Sequence, residues 1–154
     1  MQNSLTNHNL GGLPGVILQK MSKVIPTVVV VDDSPTAASF YQLSAADLAV
    51  ELRAFHGANE ATAHLENNQP DLLFLDIVMP DKDGITLLKE LRTLPIHGDT
   101  PVIMVTSKDY DQDRAVARDL GVLEFLLKPL RPREIRELIQ KYTGAEEKSD
   151  SNAI

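Results

Sequence analysis

Cysteine is absent from the 154 residues, which removes disulfides, thiolate catalysis and cysteine-based zinc sites together. Nothing in the sequence requires an oxidising compartment, so a cytoplasmic location is the expectation. No apolar run approaches the roughly 18 residues that a membrane-crossing helix needs, and the first residues lack the basic-then-apolar order of a secretion signal. Basic residues are also short, with 15 Lys and Arg against 22 Asp and Glu and a formal net charge of −7. Unspecific attachment to nucleic acid or to anionic lipid needs a basic face, so neither nucleic acid nor membrane is expected as a partner. What is present is a hydrophobic share of 43%. In a chain of this length that supports one domain with a core of its own and leaves no room for a second large one.

The ends read differently from the middle. Residues 1–23 mix Asn, Gly and Pro without helical or strand period and are expected to form a flexible extension. Met21 offers a second start, in which case residues 1–20 add nothing to the fold. From Thr143 the chain turns polar, and 143–154 reads as a flexible tail. Between them, over 24–142, the pattern alternates. Strands are expected at Thr27–Val31, Val50–Phe55, Leu72–Leu75, Pro101–Val105 and Glu124–Leu127. Most are continuous apolar runs, as in strands covered on both faces of a parallel sheet. Helices are expected from Ser34-Pro35 to about Leu48, from an Asn59 cap through Ala61 and Leu65, along Ile85, Leu88 and Leu91, from about Tyr110 to a stop at Gly121, and after Pro132. The last sets Ile135, Leu138, Ile139 and Tyr142 on one stripe. Five strands each followed by a helix predict a doubly wound α/β fold with a parallel sheet and helices on both faces.

Such sheets bind ligands outside the carboxyl ends of their strands, and four strand ends here are polar: Asp32-Asp33, Asp76, Thr106-Ser107 and Lys128-Pro129. The apolar run Leu72-Leu73-Phe74-Leu75 drives straight into Asp76, so that carboxylate sits where a buried strand leaves the core. If the third strand lies beside the first, Asp32, Asp33 and Asp76 converge, and like charges that close raise a carboxyl pKa and destabilise the fold. A hard divalent cation relieves that strain, and Mg²⁺ suits carboxylate oxygens, a backbone carbonyl and waters. Lys128 adds a positive charge beside Asp76 and Thr106 a hydroxyl, which together describe a place for phosphoryl oxygens. Each residue alone has a plainer reading. A strand-end acid is commonly a solvated loop residue, Asp before Ser-Pro a helix start, Thr106-Ser107 a cap, Phe125 a core residue. Their shared sheet edge is what points to chemistry. The four histidines, His8, His56, His64 and His97, have no metal-ligand spacing and are expected at the surface.

The segments "VVVVDDSPT", "DLLFLDIVMPDKDG", "VIMVTS" and "EFLLKP", in this order and spacing, resemble the receiver domain of two-component response regulators over the whole of 24–142. The resemblance implies a flavodoxin-like five-stranded sheet of order 2-1-3-4-5. It implies that Asp76 is the phosphoacceptor, that Asp32 and Asp33 with Asp76 and the backbone carbonyl of Val78 hold Mg²⁺, that Lys128 contacts the phosphoryl group, and that Thr106 and Phe125 are the switch pair. The donor implied is a histidine kinase or phosphotransfer protein. The target implied is a protein read through the fourth helix, fifth strand and fifth helix, with a phosphorylation-dependent homodimer through that face left open. The chain would catalyse only its own phosphorylation and dephosphorylation. Too few residues follow Tyr142 for an output domain, so a stand-alone receiver of the chemotaxis type is the expectation. Val78 and Lys108 occupy positions that influence hydrolysis of the acyl phosphate in this family, and Ser34 replaces a third acid that many members carry.

Three rivals stay open at this point. A haloacid dehalogenase-type phosphotransferase also places a nucleophilic Asp after a buried strand, but it resembles Asp-x-Asp, and Val78 stands where its general acid would be. A flavodoxin-like nucleotide binder wants a glycine- or hydroxyl-rich loop after the first strand, where Asp32-Asp33 would repel phosphate. A receiver fold that is never phosphorylated would have no need of this full set of site residues.

Overall fold

The computed structural model describes residues 25–149. The extension expected at 1–23 and the end of the expected tail lie outside the described residues. Five parallel strands, β1 (Thr27–Val31), β2 (Glu51–Phe55), β3 (Leu72–Asp76), β4 (Val102–Thr106) and β5 (Glu124–Leu127), form one sheet in the order β2-β1-β3-β4-β5. Between and after them run α1 (Ala37–Ser44), α2 (Ala58–Leu65), α3 (Gly84–Thr93), α4 (Asp111–Asp119) and α5 (Pro132–Thr143), with a 3₁₀ turn at Pro95–His97. This is the doubly wound, flavodoxin-like arrangement that the alternation and the resemblance predict.

Alternate residues of each strand face opposite sides. Leu73, Leu75 and Met104 meet Ala61 and Leu65 of α2, Leu87 and Leu88 of α3 and Ala117 of α4. Val28, Val30, Phe74 and Ile103 meet Tyr41 of α1 and Ile135 and Ile139 of α5. Both β3 and β4 are buried at every position, whereas the edge strand β2 is buried at none. The division of helices follows from handedness. Right-handed crossovers running from β2 toward β5 place α2, α3 and α4 on one face, and the reversal at β1 sends α1 to the other.

Four expectations need correction. The first helix starts at Ala37 rather than at Pro35 and ends at Ser44, short of Leu48. Its expected last turn is instead paired outward: the Ala49 N–H donates to Glu146 O (2.8 Å), and the Lys148 N–H to Asp47 O (2.7 Å). Arg136 holds both carboxylate oxygens of Asp47 and reaches Glu147 as well. The segment from Thr143 to Lys148 is therefore hydrogen-bonded to the body, with Ala145 only 5% exposed, and the loose tail expected from Thr143 does not describe it. Gly57, not Asn59, caps α2; the Asn59 N–H is satisfied by Asp81 Oδ2 at 3.0 Å, from a distant loop. His97, expected at the surface, is fully buried. Its Nε2 lies 2.6 Å from Leu65 O and its Nδ1 2.8 Å from the Thr100 hydroxyl. A carbonyl only accepts, so Nε2 carries the proton and Nδ1 accepts from Thr100. His56 is exposed and His64 half-buried against Phe55, while His8 lies outside the described residues.

Candidate functional site

The carboxyl ends of β1, β3, β4 and β5 deliver the polar residues to one edge. The Asp32 N–H donates to Phe55 O (3.0 Å), extending the β1 pairing by one residue and fixing the first acid. Asp76 closes β3 in register with Val105, and the Ile77 N–H continues that ladder to Val105 O. The Lys128 N–H donates to Thr106 O (2.8 Å), which plants the lysine beside the end of β4. The Lys128-Pro129 peptide bond is cis.

Asp32, Asp33 and Asp76 each offer a carboxylate oxygen, and these oxygens lie within 4.8 Å of one another. Asp32 and Asp76 are 4% and 5% exposed; Asp33 faces solvent. Lys128 Nζ donates to Asp32 Oδ2 at 2.8 Å and to Asp76 Oδ2 at 3.0 Å. One ammonium thus serves two buried acids, with a third carboxylate at the mouth. Burial holds the Asp76 carboxyl above the usual carboxylate range; the Lys128 hydrogen bond opposes this and the Asp32 charge adds to it. Burial alone would depress the Lys128 ammonium, but its bonds to Asp32 and Asp76 outweigh that and keep it firmly charged. The remaining oxygen of Asp76 accepts the Val78 N–H at 3.3 Å. The Val78 side chain is 46% exposed and apolar.

Three hard oxygen ligands of partly uncompensated charge, two buried and one open to solvent, fit a small divalent cation that retains part of its water shell. Charge and donor chemistry agree on this. A cavity of about 390 Å³ opens beside the acids, lined by Asp32, Ser34, Thr36, Phe40, Tyr41, Lys128 and Leu130 among others.

The Thr106 backbone holds Lys128 in place, but its hydroxyl is engaged away from the carboxylates. Thr106 is fully buried, and its hydroxyl accepts the Lys108 N–H (3.0 Å) and donates to Lys108 O (3.1 Å), so both bonds go to the loop that follows. It does not cap α4, which starts after Tyr110 without a side-chain cap. Phe125 is partly buried against the core on the α4 face. Ser34, far from supplying a third acid, donates its N–H to Asp32 Oδ1 at 2.9 Å and so orients that carboxylate.

Several contributors go beyond the residues singled out in the sequence. A Cβ at Gly84 would lie 2.2 Å from the Asp76 carbonyl oxygen, so only glycine lets the β3–α3 loop fold back onto the end of β3. Asp83 caps α3 by accepting the Thr86 N–H at 2.8 Å, and an Asp-Gly pair ahead of an apolar stripe was the available signal. Asp81 pins the same loop to the start of α2, and the Asn59 N–H in particular holds its carboxyl below the usual range. Tyr41 is buried; that burial, then the charges of Asp32 and Asp76, hold its phenol proton on far above the ordinary range. No local pattern marked Asp81 or Tyr41.

Comparison with known proteins gives a consistent result. The sequence model of the response regulator receiver domain matches residues 28–140. The chain is 35% identical over 126 residues to the cyclic di-GMP phosphodiesterase response regulator RpfG of Xanthomonas campestris, covering 80% of this chain but 33% of that protein. It is 33% identical over 115 residues to an uncharacterized 14.6 kDa protein of Leptolyngbya boryana, covering 75% of this chain and 88% of that one. The chain therefore spans about a third of one curated relative and most of another. The fold superposes on the chemotaxis protein CheY4 of Vibrio cholerae with a TM-score of 0.71 at 23% identity, covering 77% of this chain and 99% of that one.

Proposed function

The chain belongs to the response regulator receiver domain family, a family of phosphoacceptor signalling domains, and from that premise we propose that Asp76 is the residue that takes up the phosphoryl group. The observation that carries this reading is the buried Asp76 carboxylate at a strand end, hydrogen-bonded to Lys128 and grouped with Asp32 and Asp33. An Asp76 oxygen attacks the phosphorus of a phosphohistidine on a histidine kinase or phosphotransfer protein. The new O–P bond forms as the P–N bond breaks, and the imidazole leaves with the electron pair. Lys128 favours the ionised carboxylate against the effect of burial and balances charge on the phosphoryl oxygens. Asp32, Asp33, Asp76 and the Val78 carbonyl would hold Mg²⁺, which when bound supplies the positive charge that three carboxylates and a phosphoryl group require. Little acid–base work falls to the protein, in keeping with a domain that catalyses only its own phosphorylation and dephosphorylation.

The added group brings up to about two negative charges and strong acceptors. Thr106 then exchanges its Lys108 partners for a phosphoryl oxygen, and the space it leaves admits the Phe125 ring. The readout face is α4, β5 and α5, where Tyr110, Leu123 and Leu127 are 57%, 42% and 47% exposed. A downstream protein binds there, and a phosphorylation-dependent homodimer would use the same surface. A cytoplasmic location is part of this reading.

The test is labelling by a small phosphodonor such as acetyl phosphate. Wild-type protein takes up label in the presence of magnesium and takes up none when a chelator is present from the start, while Asp76→Asn keeps its circular dichroism spectrum and takes up none. Label persisting on Asp76→Asn would move the acceptor elsewhere.

A further inference from the structure

We propose that Arg114, braced by Asp109, clamps the ring of Phe125 in the unphosphorylated arrangement and so sets how readily Asp76 is phosphorylated. The proposal rests on the reading of Asp76 as acceptor and adds a positioning residue to it. The guanidinium carbon of Arg114 lies 4.6 Å from the centroid of the Phe125 ring. The same guanidinium is held edge-on by Asp109, with Nε donating to Oδ1 and Nη2 to Oδ2 at 3.0 Å. A two-point carboxylate grip fixes the plane of an arginine that would otherwise be free to rotate. Both members of the pair keep 39% of their side-chain surface exposed, and an ion pair so placed contributes little by itself. Its place in the fold gives it consequence.

Three elements meet at this contact. Asp109 is on the β4–α4 loop, Arg114 on α4 and Phe125 on β5. Across the β4–β5 ladder Met104 pairs with Phe125 and Thr106 with Leu127, so Thr106 and Phe125 are diagonal neighbours on the face that α4 covers. The Thr106 hydroxyl is engaged by the backbone of Lys108, one residue before Asp109. Freeing Thr106 disturbs the loop that carries Asp109, and moving Phe125 inward takes its ring off Arg114. Any contact present in one conformer and lost in the other lowers the apparent affinity for whatever ligand selects the second. A cation–π contact at such an exposed site is worth a factor of about two to five in that equilibrium.

The experiment measures the apparent Kd for beryllofluoride, a phosphoryl mimic, at saturating magnesium. Arg114→Gln is expected to bind it about two to five times more tightly than wild type, with Asp109→Asn shifting the same way by less. The direction discriminates, because removing a positive charge from a protein of net charge −7 would by electrostatics alone weaken capture of an anion. Over a Phe125→Leu background the Arg114→Gln effect disappears. Unchanged or weaker binding by Arg114→Gln, or an effect undiminished without the ring, overturns the clamp while leaving Asp76 in place. A wild type that takes up no beryllofluoride overturns the assignment of Asp76 and the clamp with it.

Discussion

At the carboxyl edge of the sheet three carboxylates crowd around one ammonium; at the amino edge one guanidinium is spread over three backbone carbonyls. There the Arg92 guanidinium donates to Leu120 O, His97 O and Thr100 O. His97 joins Leu65 O to the Thr100 hydroxyl, which also accepts from Gln69. Among the described residues no buried side-chain nitrogen or oxygen lacks a hydrogen-bond partner, so the two edges differ in charge balance, not in hydrogen bonding. The Arg92–His97–Thr100 network at the amino edge is neutral donors and acceptors around one dispersed cation, and the carboxylates near it, Asp71 and Asp99, accept from Thr27 and Gln69 instead of crowding together. The carboxyl edge holds uncompensated negative charge that destabilises the fold until a cation arrives. Buried polar groups at the two ends of the same strands thus serve opposite purposes.

The sharpest break of that contrast is at the stabilising end. His97→Ala leaves Leu65 O and the Thr100 hydroxyl without their partner and opens a cavity beneath the turn at Pro95–His97. The expected loss is about 2–4 kcal/mol of unfolding free energy, read by urea denaturation, with phosphoryl uptake per folded molecule unchanged. A loss under about 0.5 kcal/mol, within the range of ordinary surface substitutions, would mean that the buried network is not what holds this edge.

The opposite edge is expected to respond to metal. The folded-state pKa of Asp76 lies above its ordinary value of 3.8 because of burial and then the Asp32 charge, against the Lys128 bond. A raised carboxyl pKa stabilises the folded state below the unfolded value, and that contribution is lost as pH rises from there through the folded pKa. Above that folded-state pKa the metal-free protein has given up this stability. A cation that binds only the ionised acids restores it: magnesium at about ten times its Kd adds about 1.4 kcal/mol, a few degrees in Tm for a domain of this size. The gain shrinks as pH falls through the Asp76 titration, where protons compete for the carboxylate. Thermal melts with and without magnesium at two pH values check the sign; a shift that is equal at both would separate the metal from Asp76.

Much of this division was legible in the sequence. The runs at Val28–Val31, Leu72–Leu75 and Val102–Val105 are apolar throughout because both sheet faces are covered, and that lack of alternation gave a parallel sheet away. The acids were legible for the same reason, since a charge directly after a buried run has to lie at the strand's end. Nonlocal pairing was not. His97 has its acceptor 32 residues earlier in the chain, and nothing around it predicts burial. Helix α1 stops early because Asp47–Ala49 pair with Glu146–Lys148, residues whose polar composition reads as tail. The proposed clamp on Phe125 likewise depends on Arg114 reaching the ring from another element while Asp109 grips its guanidinium from the loop before α4.

The smallest expected effect lies at the boundary between the two kinds of chemistry. Val78 is next but one to Asp76 and gives the carboxylate its backbone N–H, but its exposed isopropyl group offers water nothing to bond. Hydrolysis of an acyl phosphate needs a water held in line with the O–P bond. An apolar surface at that spot would leave the water unoriented, so on the proposed reading a persistent phosphorylated form is expected. Val78→Asn keeps a similar volume and adds an amide that both donates and accepts. It is expected to change the decay rate of phosphorylated Asp76 about five-fold, equivalent to roughly 1 kcal/mol in the barrier, with the melting temperature unmoved. Decay followed after removal of acetyl phosphate measures it directly. An unchanged rate would place control of lifetime in the Thr106–Lys108 loop, where a hydroxyl already bonded on both sides must let go before the phosphoryl oxygens can be shielded.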